Sequence, residues 1–166
     1  MTPTYLGNTD LLHQSLVAFI CSRNYSPQAV LVSYDWATAQ RDKVVISTFH
    51  SPLERDVMDF LLQKKQPIIY LLPARMYKRV PKRFCEALNE GRLLFLSLCS
   101  DTVRMYGKIN AQSANRYILS LTSEVVFASI ATGGFTEQLY QSLDKDKYTI
   151  TILDKNREKK SFSQFQ

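Results

Sequence analysis

At 166 residues, 45% hydrophobic and 22% charged, the chain has the material for one packed domain, and that balance excludes an intrinsically disordered polymer. No apolar run approaches the roughly 18 residues of a membrane span, and no charged segment ahead of an apolar stretch suggests a secretory leader. The three cysteines are widely spaced, form no CxxC pair and are joined by only two histidines, so a disulfide framework and a metal site are both unexpected and a reduced, cytoplasmic protein is predicted.

Short apolar runs predict strands in chain order at Leu16 to Ile20, Val44 to Ser47, Ile68 to Leu72, Leu93 to Leu98, Val125 to Ala128 and Tyr148 to Leu153. Helices are predicted between them. Ser26-Pro27 reads as an N-cap and a first-turn proline, continued by Val30, Tyr34, Ala37 and Gln40. Ser51-Pro52 repeats the device before a stripe of Leu53, Val57, Phe60 and Leu61. Pro81 opens KRFCEALNEG, which Gly91 stops, and two more helices are expected at Ala111 to Leu121 and Phe135 to Leu143. Strands that are solidly apolar are buried on both faces, and their alternation with helices predicts a mostly parallel sheet of about six strands covered on both sides. Residues 1–153 are assigned to this one domain, and 154–166 to a polar, basic tail.

In such an α/β sheet, ligands gather at the carboxyl ends of the strands. The segments that follow the strands carry Ser22, Arg23 and Asn24; Ser47; Arg104, Tyr106 and Lys108, leading to Asn115 and Arg116; and Gly133-Gly134. Hydroxyls, glycines and arginines beside helix starts are the donors a phosphate requires. Each also has a plain structural reading: Ser22 and Ser51 as helix caps, Gly133-Gly134 as a turn, Arg116 in a surface ion pair. Their joint placement at successive strand ends favours a phosphate-binding crevice.

The net charge of +6 has one source. Lys64 to Arg92 holds eight basic residues against Glu86 and Glu90, and ARMYKRVPKR places five cations with no anion in ten residues. Arg75, Lys78, Arg79, Lys82 and Arg83, with Arg104 and Lys108, are therefore candidates for contacts to a nucleic-acid backbone. Phe49, Tyr77 and Tyr106 are candidate stacking faces. The tail has cations but only Phe162 and Phe165 as aromatics.

Three segments then resemble a known family. GNTDLLHQSLVAFICSRNYSP is similar to the opening of the DNA-processing protein A (DprA/Smf) domain, where a strand ends in Gly-Ser-Arg. YKRVPKRFCEALNEGRLLFLS resembles its Tyr-Pro segment, helix and Gly-x-Leu-Leu-Ser strand, and AQSANRYILSLTSEVVFASIATGG its Arg-Asn-Arg helix, strand and glycine loop. The resemblance runs in order from Gly7 to Leu153. It implies a three-layer, Rossmann-like, doubly wound fold within the nucleotide-binding superfamily that includes the lysine-decarboxylase-like (LOG) proteins. It matches Ser22, Arg23, Asn115, Arg116 and Gly133 to family positions. The departures are Cys21 for the first glycine of Gly-Ser-Arg, Ala114 for the first arginine of Arg-Asn-Arg, and Ser47-Thr48-Phe49-His50-Ser51 where the family has Ser-Gly-x-Ala-x-Gly-Ile-Asp.

The resemblance implies a non-catalytic module of the DNA-processing or recombination-mediator type, acting on single-stranded DNA in transformation or recombination without a cofactor. A recombinase and a second copy of the chain are further candidate partners. The alternative is a small nucleotide or phosphorylated ligand in the crevice. A phosphoribohydrolase reading fails on spacing. The LOG loop sets its carboxylate three residues beyond the threonine, whereas Glu137 directly follows Thr136, about 100° around a helix.

Overall fold

The computed structural model describes residues 2–104 and 107–154. Seven strands form one sheet: β1 (Thr4–Gly7), β2 (Leu16–Ile20), β3 (Val44–Ser47), β4 (Ile68–Leu72), β5 (Leu93–Ser97), β6 (Glu124–Phe127) and β7 (Thr149–Ile152). Their spatial order is β1-β5-β4-β3-β2-β6-β7. All neighbours run parallel except β1, which pairs antiparallel with β5.

Six of the seven strands coincide with the apolar runs of the sequence. The expectation of about six strands is corrected by β1. Thr4, Tyr5 and Gly7 are exposed and only Leu6 is half-buried, so this edge strand has no apolar run to reveal it. Gly7 makes the edge possible. Its φ is +116°, and a β-carbon there would stand 2.3 Å from the carbonyl oxygen of Leu93, a contact no side chain can accommodate. Asn8 follows, donating to the Gly91 carbonyl at 2.9 Å and accepting from the Asp10 amide, and so caps a short 3-10 helix at Thr9–His13.

The helices are α1 (Pro27–Ala39), α2 (Pro52–Gln63), α3 (Lys82–Asn89), α4 (Lys108–Leu121) and α5 (Phe135–Ser142). Both Ser-Pro starts work as read. Ser26 Oγ accepts from the Ala29 amide and Ser51 Oγ from the Glu54 amide, each at 3.3 Å. These caps satisfy donors that the first turn of a helix leaves open.

Helices α1, α2 and α3 cover one face of the sheet, over Phe19, Phe49, Val57, Leu61, Tyr70, Phe84 and Phe95. The 3-10 helix, α4 and α5 cover the other, over Leu11, Ile118, Leu119, Phe127 and Leu139. The result is the three-layer, doubly wound arrangement expected. From central β2 the chain steps outward through β3 and β4 to β5. Helix α4 then carries it back to β6 on the other side of β2. The order therefore reverses between β2 and β6, which makes this the topological switch point. Among the described residues, no helix is long and apolar enough to cross a membrane.

Candidate nucleic-acid interface

Because β2 to β7 are parallel, the segments that follow them lie along one rim. Its central part lies over β2, β3 and β6, and there the polar groups bind one another. Glu54, in the first turn of α2, is 4% exposed. Its Oε1 accepts from the His50 amide at 3.1 Å and from the hydroxyls of Ser47 and Thr48, each at 3.2 Å. Its Oε2 accepts from the Cys21 amide at 3.0 Å. Burial pushes the Glu54 pKa above the ordinary carboxylate value, while the amide and hydroxyl donors pull it back.

Two expectations fail here. Ser47, expected to meet a phosphate, is fully buried, and its Oγ donates to Glu54 while accepting from the Phe49 amide at 3.0 Å. Phe49, a candidate stacking face, is also fully buried, edge-on to Tyr70 at 5.4 Å. Its φ of +46° makes it a left-handed non-glycine residue, held in place by this packing.

The switch point is similarly closed. The Ser22 amide donates to the Ser129 carbonyl at 3.1 Å, and Ser22 Oγ accepts from the Ala131 amide at 2.8 Å. Gly133, at φ +80°, donates its amide to Glu137 Oε1 at 3.2 Å. Glu137 thus closes its own loop, and Gly134 is the N-cap of α5. Asn115 donates to the Ala111 carbonyl within α4. Arg116 is exposed and sets its guanidinium over Phe135, 5.2 Å from the ring centre. Arg23 and Asn24 are exposed. Arg23 Nη2 lies 3.4 Å from His50 Nε2. An arginine only donates, so in this contact the histidine nitrogen is the acceptor. Burial first, then Arg23 and Arg55, hold the His50 pKa below its ordinary value.

Asp154, assigned by sequence to the tail, is buried and accepts from Ser26 Oγ at 2.7 Å. The remainder of the tail, with Phe162 and Phe165, and Tyr106 lie outside the described residues.

The flank over β4 and β5 is different. The segment after β4 brings Arg75, Lys78 and Arg79 to the rim, and Lys82 and Arg83 open α3. Arg104 precedes α4 and Lys108 is its first residue. The two segments are joined. The Arg75 amide donates to the Val103 carbonyl at 2.8 Å, and Arg75 Nη1 to the Asp101 carbonyl at 3.3 Å. Lys78, Arg79, Lys82, Arg83, Arg104 and Lys108 are exposed. Among the described residues, their only ion pair is Arg83 with Asp59 at 3.2 Å, a surface pair. Tyr77 is half-buried, with its ring 5.1 Å from Phe95 and 6.3 Å from Phe84. Lys64, Lys65 and Arg92, counted in the same basic stretch, belong to the opposite end of the sheet, because β4 and α3 separate them from Arg75–Arg83.

The same architecture is known. The structure of DNA-processing protein A from Streptococcus pneumoniae superposes with a TM-score of 0.70 at 20% identity, covering 90% of this chain and 54% of that one. The fold is that of DNA-processing protein A. The DprA of Helicobacter pylori, described for a unique single-stranded DNA binding mode, gives a TM-score of 0.66 at 18% identity over 90% of this chain and 70% of its own. This chain spans about half the length of the S. pneumoniae DprA. No family model and no curated protein matches it.

The sequence reading passed over Glu54. Its signal was present in the DprA motif quoted above, whose aspartate stands as far beyond its serine as Glu54 stands beyond Ser47. The glycines are replaced, but the position of the acid is kept.

Proposed function

We propose that this chain is a non-catalytic module that binds single-stranded nucleic acid, DNA in the first instance, along the flank of the rim over β4 and β5. The observation that carries the reading is the contrast in hydrogen bonding along that rim. The buried amides and hydroxyls over β2, β3 and β6 are engaged within the protein, and the exposed Arg23 and Arg116 there lie against His50 and Phe135. By contrast, Lys78, Arg79, Lys82, Arg104 and Lys108 stand exposed and without an ion pair among the described residues. A row of free cations on two tied segments tracks a flexible polyanion, and Arg75 fixes the spacing between those segments. The single-stranded DNA binding described for the H. pylori DprA, which has this fold, supports the same ligand class. A small nucleotide in the central crevice is disfavoured, because its phosphate would compete with Glu54 for the same donors. Glu137 is committed to the Gly133 amide, which leaves the glycine loop without a carboxylate aimed outward for hydrolysis.

The test is the salt dependence of binding to an oligonucleotide. Each phosphate contact on a single strand contributes a log–log slope of about −0.7. Replacing Lys78, Arg79, Lys82 and Arg83 together by Ala flattens the slope and leaves the fold intact, since exposed charges add little stability. An unchanged slope in that variant places binding elsewhere, and no binding by the unmodified chain at low salt rejects the reading.

A further inference from the structure

Four donors from two stretches of chain, the ends of β2 and β3, meet at one buried point. The amides of Cys21 and His50 and the hydroxyls of Ser47 and Thr48 surround the two oxygens of Glu54 at 3.0 to 3.2 Å. Ser47 and Thr48 are fully or almost fully buried, and Cys21 is 5% exposed. Among the described residues Glu54 has no ion pair. Convergent backbone amides and hydroxyls at the ends of parallel strands are the donor set that binds anions in general. Here the anion is part of the chain.

We propose that Glu54 is the resident ligand of an anion cradle between the ends of β2 and β3, and that by filling it Glu54 determines specificity: it shuts this part of the rim to free phosphates and carboxylates. The cradle also positions the rim. Glu54 holds the amide of Cys21, two residues before Arg23, and the amide of His50, so it sets the approach of Arg23 to the His50 ring at 3.4 Å. The donors belong to the backbone and to two hydroxyls, so they survive removal of the carboxylate. Glu54→Ala deletes the γ-carbon and the carboxyl group, an acetate ion in size. The variant is therefore a receptor for acetate or formate.

The experiment compares thermal unfolding of the unmodified chain and Glu54→Ala in acetate, formate, inorganic phosphate and chloride at equal ionic strength. The expected result is a lower melting temperature in Glu54→Ala that acetate or formate raises saturably and chloride does not, with no such response in the unmodified chain. Failure of both carboxylates to raise it, or an equal rise in both proteins, overturns the proposal. If Glu54→Ala does not fold, the unmodified chain gives the answer by NMR. The Cys21 and His50 amide protons should then shift together with the titration of the Glu54 carboxyl carbon, and should not shift on adding inorganic phosphate or AMP. A phosphate-induced shift at those amides, or amides that ignore the carboxyl titration, also overturns it. None of these readouts depends on nucleic-acid binding, so the two proposals fail separately.

Discussion

The centre of the rim and its flank both carry polar groups at strand ends and reach opposite results. Over β2, β3 and β6, each serine, glycine and acid described above finds a partner inside the protein, from Glu54 in its cradle to Ser22 on Ala131 and Glu137 on Gly133. Over β4 and β5 the cations project outward, and one arginine, Arg75, ties the two segments that carry them. The difference teaches that a residue type at a strand end does not define a site. What counts is whether its hydrogen-bonding capacity is left over once the fold is complete.

The largest expected effect in breaking this contrast comes from the centre. Glu54→Ala leaves buried amides and hydroxyls without an acceptor. At about 1–3 kcal/mol for each group left unsatisfied, partly offset by relaxation, a loss on the order of 3 kcal/mol is expected in urea unfolding. A change below about 0.5 kcal/mol, the usual scatter of surface substitutions, would show that the centre is not closed by this carboxylate.

Next in size is Ser22→Ala, which removes the acceptor of the Ala131 amide. It should cost about 1 kcal/mol while leaving oligonucleotide affinity unchanged. A clear drop in affinity with unchanged stability would reverse the assignment of centre and flank.

A smaller effect is carried by pH. Burial raises the folded pKa of Glu54 above its unfolded value. Below the ordinary glutamate range both states hold the proton and this contribution is fully present. As pH rises the unfolded chain ionises first, so stability declines until the pH has passed the folded pKa. Glu54→Gln should remove that decline from the stability–pH profile. The same slope in both proteins would assign it to another group.

The smallest effect is Glu137→Gln. The side chain keeps an acceptor for Gly133 and loses only its favourable charge at the start of α5, worth roughly 0.3–1 kcal/mol. Incubation with nucleoside monophosphates should release no free base with either protein. Turnover abolished by this change would make the chain an enzyme.

Much of the fold was legible because burial on both faces leaves a plain signature. β2, β4 and β5 are solid apolar runs in the sequence, and Ser26-Pro27 and Ser51-Pro52 mark two helix starts within a residue. β1 was invisible because an edge strand with one half-buried side chain needs no pattern. The site was legible less evenly. The flank cations follow directly from their clustering, although the charge count merged two ends of the sheet that only the path of β4 separates. The centre misled because Ser22 and Ser47 were read as free donors. Ser22 pairs with the β6 loop, 109 positions away, which leaves no local trace, whereas Ser47 pairs with Glu54 only seven residues on, a local signal hidden in a helix start.

β1 carries one more consequence. Strand β5, Leu93-Leu94-Phe95-Leu96-Ser97, is buried along its whole length, and among the described residues its outer backbone edge is met by Thr4–Gly7 and by the Asn8 amide. Without that short strand the sheet would end in a flat, apolar, uncharged ribbon with open amides and carbonyls, which is a template for edge-to-edge aggregation. The exposed Thr4 and Tyr5 and the tight turn at Gly7 serve as a guard rail for the sheet, and solubility should be lost well before the fold is if this guard is trimmed.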